Sequence, residues 1–151
     1  MGLITIYKTK VNKMNNKQQR IVSWYSCGAA SAVATKLAIA DAAEEGKKIT
    51  IVNCEVKEEH PDNKRFLKEC EEWFGQEIIV LGNDKYKRSI DEVFWQRKYM
   101  AGLAGAPCTL LLKKDLRVEF ERENDIQVMG YTSEEQNRVD RFRDNNNHVD
   151  L

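Results

Sequence analysis

From Arg20 onward, short apolar runs rich in β-branched residues alternate with longer segments whose apolar residues recur at helical spacing. Ile21 to Tyr25 reads as a strand. Ala29 to Glu45 reads as a helix ended by Gly46, since glycine adopts a left-handed cap at little cost. Ile49 to Cys54 is a second strand. Asp62 is expected to cap a helix from Asn63 to Phe74, with Phe66, Leu67, Cys70, Trp73 and Phe74 on one face, Trp73 and Phe74 in the core, and Gly75 closing it. Glu77 to Leu81 reads as a third strand, Ser89 to Tyr99 as an amphipathic helix and Met100 to Pro107 as a small-residue loop. Cys108 to Glu123 follows as a helix, Gln127 to Met129 as a short strand and Ser133 to Arg143 as a last charged helix. Ahead of these lies an arm, residues 1–19, where Leu3 to Tyr7 would form a short strand before a polar stretch. The alternation predicts an α/β domain over residues 20–151, built on a mainly parallel sheet flanked by helices.

Composition narrows the function classes. The chain has 151 residues, 42% hydrophobic and 32% charged, which suits one soluble domain with an ordinary core. Its 24 basic and 24 acidic side chains cancel, so no global field draws it to nucleic acid or a membrane surface, and an anionic ligand needs a local site. No apolar run approaches the roughly 20 residues that span a bilayer. Cys27, Cys54, Cys70 and Cys108 show no paired CxxC spacing and no secretory leader pattern precedes them, so reduced thiols in a cytoplasmic setting are expected. His60 has no second histidine at ligand spacing; it is read as shaping the loop before Pro61 and not as a metal ligand.

The candidate chemistry lies between the first strand and the first helix. In Ser26-Cys27-Gly28-Ala29-Ala30-Ser31 small residues are framed by two serines, so an anion can approach the backbone N–H groups and the helix N-terminus. In open parallel sheets, ligands bind at the carboxyl ends of the strands. That rule gathers this turn, the segment Cys54 to Asn63 and the segment Gly130-Tyr131-Thr132 around one crevice.

The turn resembles the PP-loop, usually Ser-Gly-Gly-x-Asp-Ser, of the adenine nucleotide alpha hydrolase superfamily. His60-Pro61-Asp62-Asn63-Lys64-Arg65-Phe66 is similar to the segment after the second strand in phosphoadenosine phosphosulfate (PAPS) reductases. Ala106-Pro107-Cys108-Thr109-Leu110-Leu111-Leu112-Lys113 resembles their Cys-Thr-x-x-Leu-Lys element, and Gly130 to Glu135 with Arg138 and Arg141 their Gly-x-x-x-x-Glu-x-x-Arg region. The ordered set spans about Ile21 to Phe142. It implies a Rossmann-like sheet holding ATP, PAPS or a related adenine nucleotide. Ser26 and Ser31 would donate hydroxyls, and the amides of Cys27, Gly28, Ala29 and Ala30 would face the phosphate or sulfate. Backbone groups of Ser23, Trp24, Tyr25, Asn53, Cys54 and Glu55, with Gly130 and Tyr131, would line the adenosine. Lys113 and Arg117, one helical turn apart, would add positive charge beside the phosphates, and Arg138 and Arg141 would close the other side.

The departures from the family redirect the expected chemistry. Ala30 stands where metal-dependent PP-loop ATP pyrophosphatases carry an acid, which weighs against magnesium-assisted ATP cleavage and toward the reductase branch. The reductases' catalytic thiol lies in a C-terminal Glu-Cys-Gly-x-His segment that this sequence lacks, and the cysteines needed for an iron-sulfur cluster are absent. Cys108, after Pro107 at a helix start, is the candidate catalytic thiol, with Thr109 as an alternative structural cap. Sulfonucleotide reduction or nucleotide-linked sulfur or adenylyl transfer is the expected activity, with a thioredoxin-like reductant or a second copy as partners. A nucleotide-binding or sequestering module without catalysis, or one whose site a partner completes, is the alternative. One of Trp24 and Tyr25 would border the base while the other packs in the core, core packing of both being the equal alternative, and Arg138 with Arg141 read equally as a solvated helix face.

Overall fold

The computed structural model describes Thr5–Ile6, residues 19–103 and residues 105–145. Its strands are Thr5–Ile6 (β1), Ile21–Trp24 (β2), Ile49–Cys54 (β3), Ile78–Leu81 (β4), Ile126–Val128 (β5) and Gly130–Tyr131 (β6). The helices are Ala29–Glu44 (α1), Asn63–Phe74 (α2), Ile90–Arg97 (α3), Pro107–Thr109 (α4), Asp115–Phe120 (α5) and Gln136–Asn145 (α6). A π-helical turn, Leu110–Lys114, joins α4 to α5. The rest of the N-terminal arm lies outside the described residues.

The main sheet has the order β4-β3-β2-β5 with every pair parallel, and β1 pairs antiparallel with β6 in a second, two-stranded sheet. From β2 the chain moves outward through α1, β3, α2 and β4, then returns to the opposite side of β2 with β5. The direction of strand placement therefore reverses between β2 and β5, and that reversal opens a crevice beyond the strand ends. This is a Rossmann-like α/β architecture.

Strand side chains alternate between faces. Ile21 packs with Ala34, Ala38 and Ala42 of α1 and with Ile126 and Val128, while Tyr25 packs with Ile51, Ile78, Cys70 and Phe74. Trp24 turns the other way and meets Phe120 of α5 edge-on at 5.9 Å. The central strands β2, β3 and β5 are mostly buried and apolar, as parallel strands covered on both faces are, whereas the edge strand β4 leaves Ile79 and Val80 exposed. The alanines of α1 are strong helix formers and, being small, let the helix lie close to the sheet. A Schellman motif ends α1: Gly46 has φ 64°, its N–H donates to Ala43 O, and the Lys47 N–H donates to Ala42 O.

One polar pair crosses this interface. The Thr35 hydroxyl donates to Ser31 O at 2.7 Å, so the buried Ser23 hydroxyl, 2.8 Å from Thr35 Oγ1, is the donor to it. Thr35→Val leaves Ser23 without an acceptor and is expected to cost about 1–3 kcal/mol in urea unfolding. Adding Ser23→Ala should recover part of that loss.

Several sequence expectations change. Asp62 does not cap α2: its backbone is already helical, and its carboxylate pairs with Arg65 through two hydrogen bonds of 2.5 Å. Trp73 is half exposed and not in the core, with Lys36 Nζ 5.3 Å from its ring. The helix expected over Ser89 to Tyr99 runs only from Ile90 to Arg97, with Ser89 as its cap. The helix expected from Cys108 to Glu123 starts at Pro107, ends at Phe120 and contains the π turn. The strand expected at Gln127 to Met129 is Ile126–Val128, and the last helix opens with a 3-10 turn, Ser133–Glu135. No helix among the described residues is long and apolar enough to cross a membrane.

Candidate functional site

The turn between β2 and α1 is held by the hydroxyl of Ser31. Its oxygen accepts from the Ser26 N–H at 3.1 Å, the Ser26 hydroxyl at 3.1 Å and the Gly28 N–H at 3.4 Å, and its own hydrogen goes to Gly28 O at 2.9 Å. Ser31 is thus a loop-holding residue whose donor is already used, whereas Ser26 is exposed at the mouth. Cys27 takes a left-handed conformation at φ 56°, uncommon for a residue with a side chain. The amides of Cys27, Ala29, Ala30 and Ser31 have no acceptor among the described residues, because the first bond of the helix runs from Ala32 N to Gly28 O. Three of these donors belong to the first turn of a 16-residue helix, at its positive end.

Close packing behind the turn fixes it. A Cβ on Gly130 would lie 2.5 Å from Ala30 O and 2.6 Å from Ser31 Cα, so β6 runs against the first turn of α1 and only glycine fits. Gly130 and Tyr131 support the turn from behind and line neither cleft described below.

Two clefts open at the carboxyl ends of the strands. The smaller, about 160 Å³, lies at the reversal between β2 and β5 and is lined by Trp24, Tyr25, Ser26, Asn53, Cys54, Glu59, Lys113, Lys114, Arg117 and Met129 among others. The larger, about 550 Å³, lies on the α2 side of Cys27 and includes Asn53, Glu55, Lys57, Glu59, His60 and Lys64. Asn53 and Glu59 border both. Buried Asn53 donates to Tyr25 O at 2.9 Å and lies 3.6 Å from Cys27 Sγ, tying β3 to the turn.

The cations of the smaller cleft come from the helical run after Pro107. Lys113 Nζ pairs with Glu59 Oε1 at 2.7 Å. Arg117 lies over the Phe142 ring at 5.5 Å, and its buried Nε has no hydrogen-bond partner among the described residues, the Glu121 carboxylate standing 3.7 Å away. The π turn lets Lys113, Lys114 and Arg117 all reach one cleft, although adjacent residues on a regular helix point in different directions.

The loop carrying Lys57 and Glu59 is pinned from α3. Ser89 Oγ donates to Glu58 Oε1 and the Ile90 N–H to Glu58 Oε2, while Arg88 pairs with Glu55 at 2.6 Å. Burial alone would raise the Glu58 carboxyl, but the Ser89 and Ile90 hydrogen bonds outweigh it and hold the group below its ordinary value.

The thiols bordering the clefts are held neutral. Burial pushes the Cys27 thiol up against the opposing hydrogen bond from Tyr25, with Glu59 adding to the rise. Cys54 is likewise raised by burial, against the pull of Lys113. Neither is poised as a thiolate.

The structure therefore brings together Trp24, Ser26, Asn53, Cys54, Lys113 and Arg117 at one cleft, with Cys27 and Glu55 on its neighbour. Tyr25 reaches the cleft from the core with its backbone already bonded, its N–H to Val52 O at 2.8 Å and its O to the Asn53 amide at 2.9 Å, while Ser23 is paired mid-strand with both β3 and β5 and does not line the cleft. Cys108 packs with Val56, Tyr86, Val93, Leu111 and Leu112 and lines neither cleft. Arg138 pairs with Glu135 and lies over Tyr131, and Arg141 donates to Asn137 O at 3.2 Å; both are exposed on α6 and neither lines either cleft. His60 accepts the Asp62 N–H on Nδ1 at 3.2 Å, which shapes the loop before α2. Glu59, Lys114 and Met129 were not singled out from sequence. Lys114 carried a signal in its neighbour Lys113, whereas Glu59 and Met129 are brought in by tertiary structure alone.

Among the described residues no cluster of three or more His, Cys, Asp or Glu side chains is arranged to hold a metal ion. No protein-family model matches the chain, and no curated protein matches it.

Proposed function

We propose that this chain binds an adenine nucleotide or a sulfated adenine nucleotide at the carboxyl ends of β2 and β3, with the phosphate or sulfate on the Ser26–Ser31 turn. The observation that carries this reading is adjacency: the turn that ends in the unpaired amides of α1 begins at Ser26, which lines the cleft together with Lys113, Lys114 and Arg117, whose Nε is unsatisfied among the described residues. Anions favour helix N-termini, and guanidinium groups bind them with directed hydrogen bonds. The Trp24 wall suits the flat face of a base. Placement of the anion and neutralisation of its charge would be the main contribution of such a site to sulfur or adenylyl transfer.

A second reading, nucleotide binding without turnover, is favoured by the thiols. Cys27 and Cys54 are pushed toward the neutral form, and Cys108 is packed among apolar side chains outside both clefts. The two readings separate in one experiment. The protein is incubated with PAPS and a dithiol, with sulfite measured, and separately with ATP, with pyrophosphate measured. Release of either product that falls about tenfold or more in Lys113→Ala and Arg117→Ala supports the enzyme. Nucleotide binding without product supports the binder, and absence of binding removes both.

A further inference from the structure

We infer that the outer face of α3, with the turn that follows it, is a two-fold interface between two copies of this chain. The starting observation is a run of large apolar side chains left in water. Trp95 is 71% exposed, Met100 64% and Tyr99 42%, and Leu103 is fully exposed, while α4, which packs on α3, leads into the exposed Leu110. A groove of about 380 Å³ runs through this face between Asp91, Phe94, Trp95, Lys98, Tyr99 and Met100. Soluble monomers seldom leave a contiguous apolar patch of this kind, and Trp, Tyr and Met are the residues enriched at interface centres. The patch is also preorganised. The Gly105 N–H donates to Gly102 O at 2.9 Å and the Tyr99 hydroxyl reaches Gly105 O at 3.5 Å, which closes the turn and holds Leu103 at its tip.

Charge identifies the occupant. The first turn of α3 carries Asp91 and Glu92, and its end carries Arg97 followed by Lys98. Glu92 is paired with Lys87, but Asp91 and Arg97 have no ion-pair partner among the described residues, and Lys98 lies over the Trp95 ring at 4.9 Å. Two copies of α3 packed antiparallel about Trp95 place the acidic end of each beside the basic end of the other and bury the two tryptophans at the centre. Parallel packing would oppose like charges. A strongly acidic or strongly basic partner, nucleic acid included, would be repelled by one half of the patch. A second copy satisfies both halves, as an isologous interface requires. The balance of 24 basic and 24 acidic residues leaves no net repulsion between copies. Each of these residues lies apart from the clefts, so the inference is independent of the nucleotide reading.

The test is sedimentation equilibrium of the full chain over the micromolar range. The expected mass is twice the 17.5 kDa of one chain at the upper concentrations, falling toward one chain on dilution. Trp95→Ser and Asp91→Lys should each weaken association by about tenfold or more, with circular dichroism unchanged, and thermal unfolding unchanged at dilutions where the wild type is itself monomeric, because both positions are exposed. The double reversal Asp91→Lys with Lys98→Asp should restore it, aspartate being tolerated in the left-handed conformation of residue 98. A wild-type monomer across the range overturns the inference. So does a dimer indifferent to Trp95→Ser, or a double reversal that restores nothing.

Discussion

Gly28→Asp is expected to leave the protein folded and to abolish its stabilisation by adenine nucleotides. Gly28 has φ −107° and ψ 154°, an extended conformation open to any residue, and a Cβ there would meet only Ser26 Oγ at 3.7 Å and Ser31 Oγ at 3.9 Å. It is the N-cap of α1, where aspartate is among the favoured residues, so the unliganded variant should unfold at the wild-type temperature or slightly above it. The new carboxylate would occupy the amides of Ala30 and Ser31 and repel an incoming phosphate. A loss of about 100-fold in affinity, roughly 3 kcal/mol, is expected for ATP or PAPS. Gly28→Asn, which caps without charge, should retain most of the binding. Thermal unfolding with and without nucleotide reads both quantities in one experiment. Undiminished ligand stabilisation in Gly28→Asp would place the phosphate elsewhere.

Gly130→Ala is expected to damage fold and site together. The added carbon has no flexible neighbour to displace: at 2.5 Å from Ala30 O and 2.6 Å from Ser31 Cα it meets backbone. Either β6 withdraws or the first turn of α1 shifts. Overpacking of this kind costs about 1–3 kcal/mol, to be read as a lowered urea midpoint. The same shift would misplace the amides of Ala30 and Ser31, so nucleotide affinity should fall as well. Stability lost with affinity unchanged would mean that this contact does not position the turn.

These variants also show what the sequence made legible. The parallel strands stood out because burial on both faces makes them nearly continuous apolar runs, and α1 was delimited by its alanines and by Gly46. The turn proposed to take the anion was visible because only small residues let a backbone be approached. Other features depend on where side chains point after packing, which local pattern does not encode. Ser31 reads as a ligand donor until its hydrogen is found on Gly28 O. Asp62 reads as a cap until Arg65, within the first turn of the same helix, takes its carboxylate. Arg138 and Arg141 fit a basic pair aimed at a ligand, yet α6 places them on the outside. The π turn is invisible in Leu110–Lys114 as letters, and it is what carries Lys114 into the cleft beside Lys113. Glu59 joins the site through tertiary contacts, its own pair with Lys113 and the bonds that tie the neighbouring Glu58 to Ser89 and Ile90.

The most direct measurement is calorimetric titration of the wild-type protein with ATP, PAPS and adenosine bisphosphate at low and high salt. Adenine-nucleotide binding at the turn predicts saturable binding of at least one of them at one site per chain, weaker at high salt as expected for a phosphate held by lysine, arginine and helix-terminal amides. No saturable heat with any of the three at low salt, under conditions where the protein is folded, would contradict it.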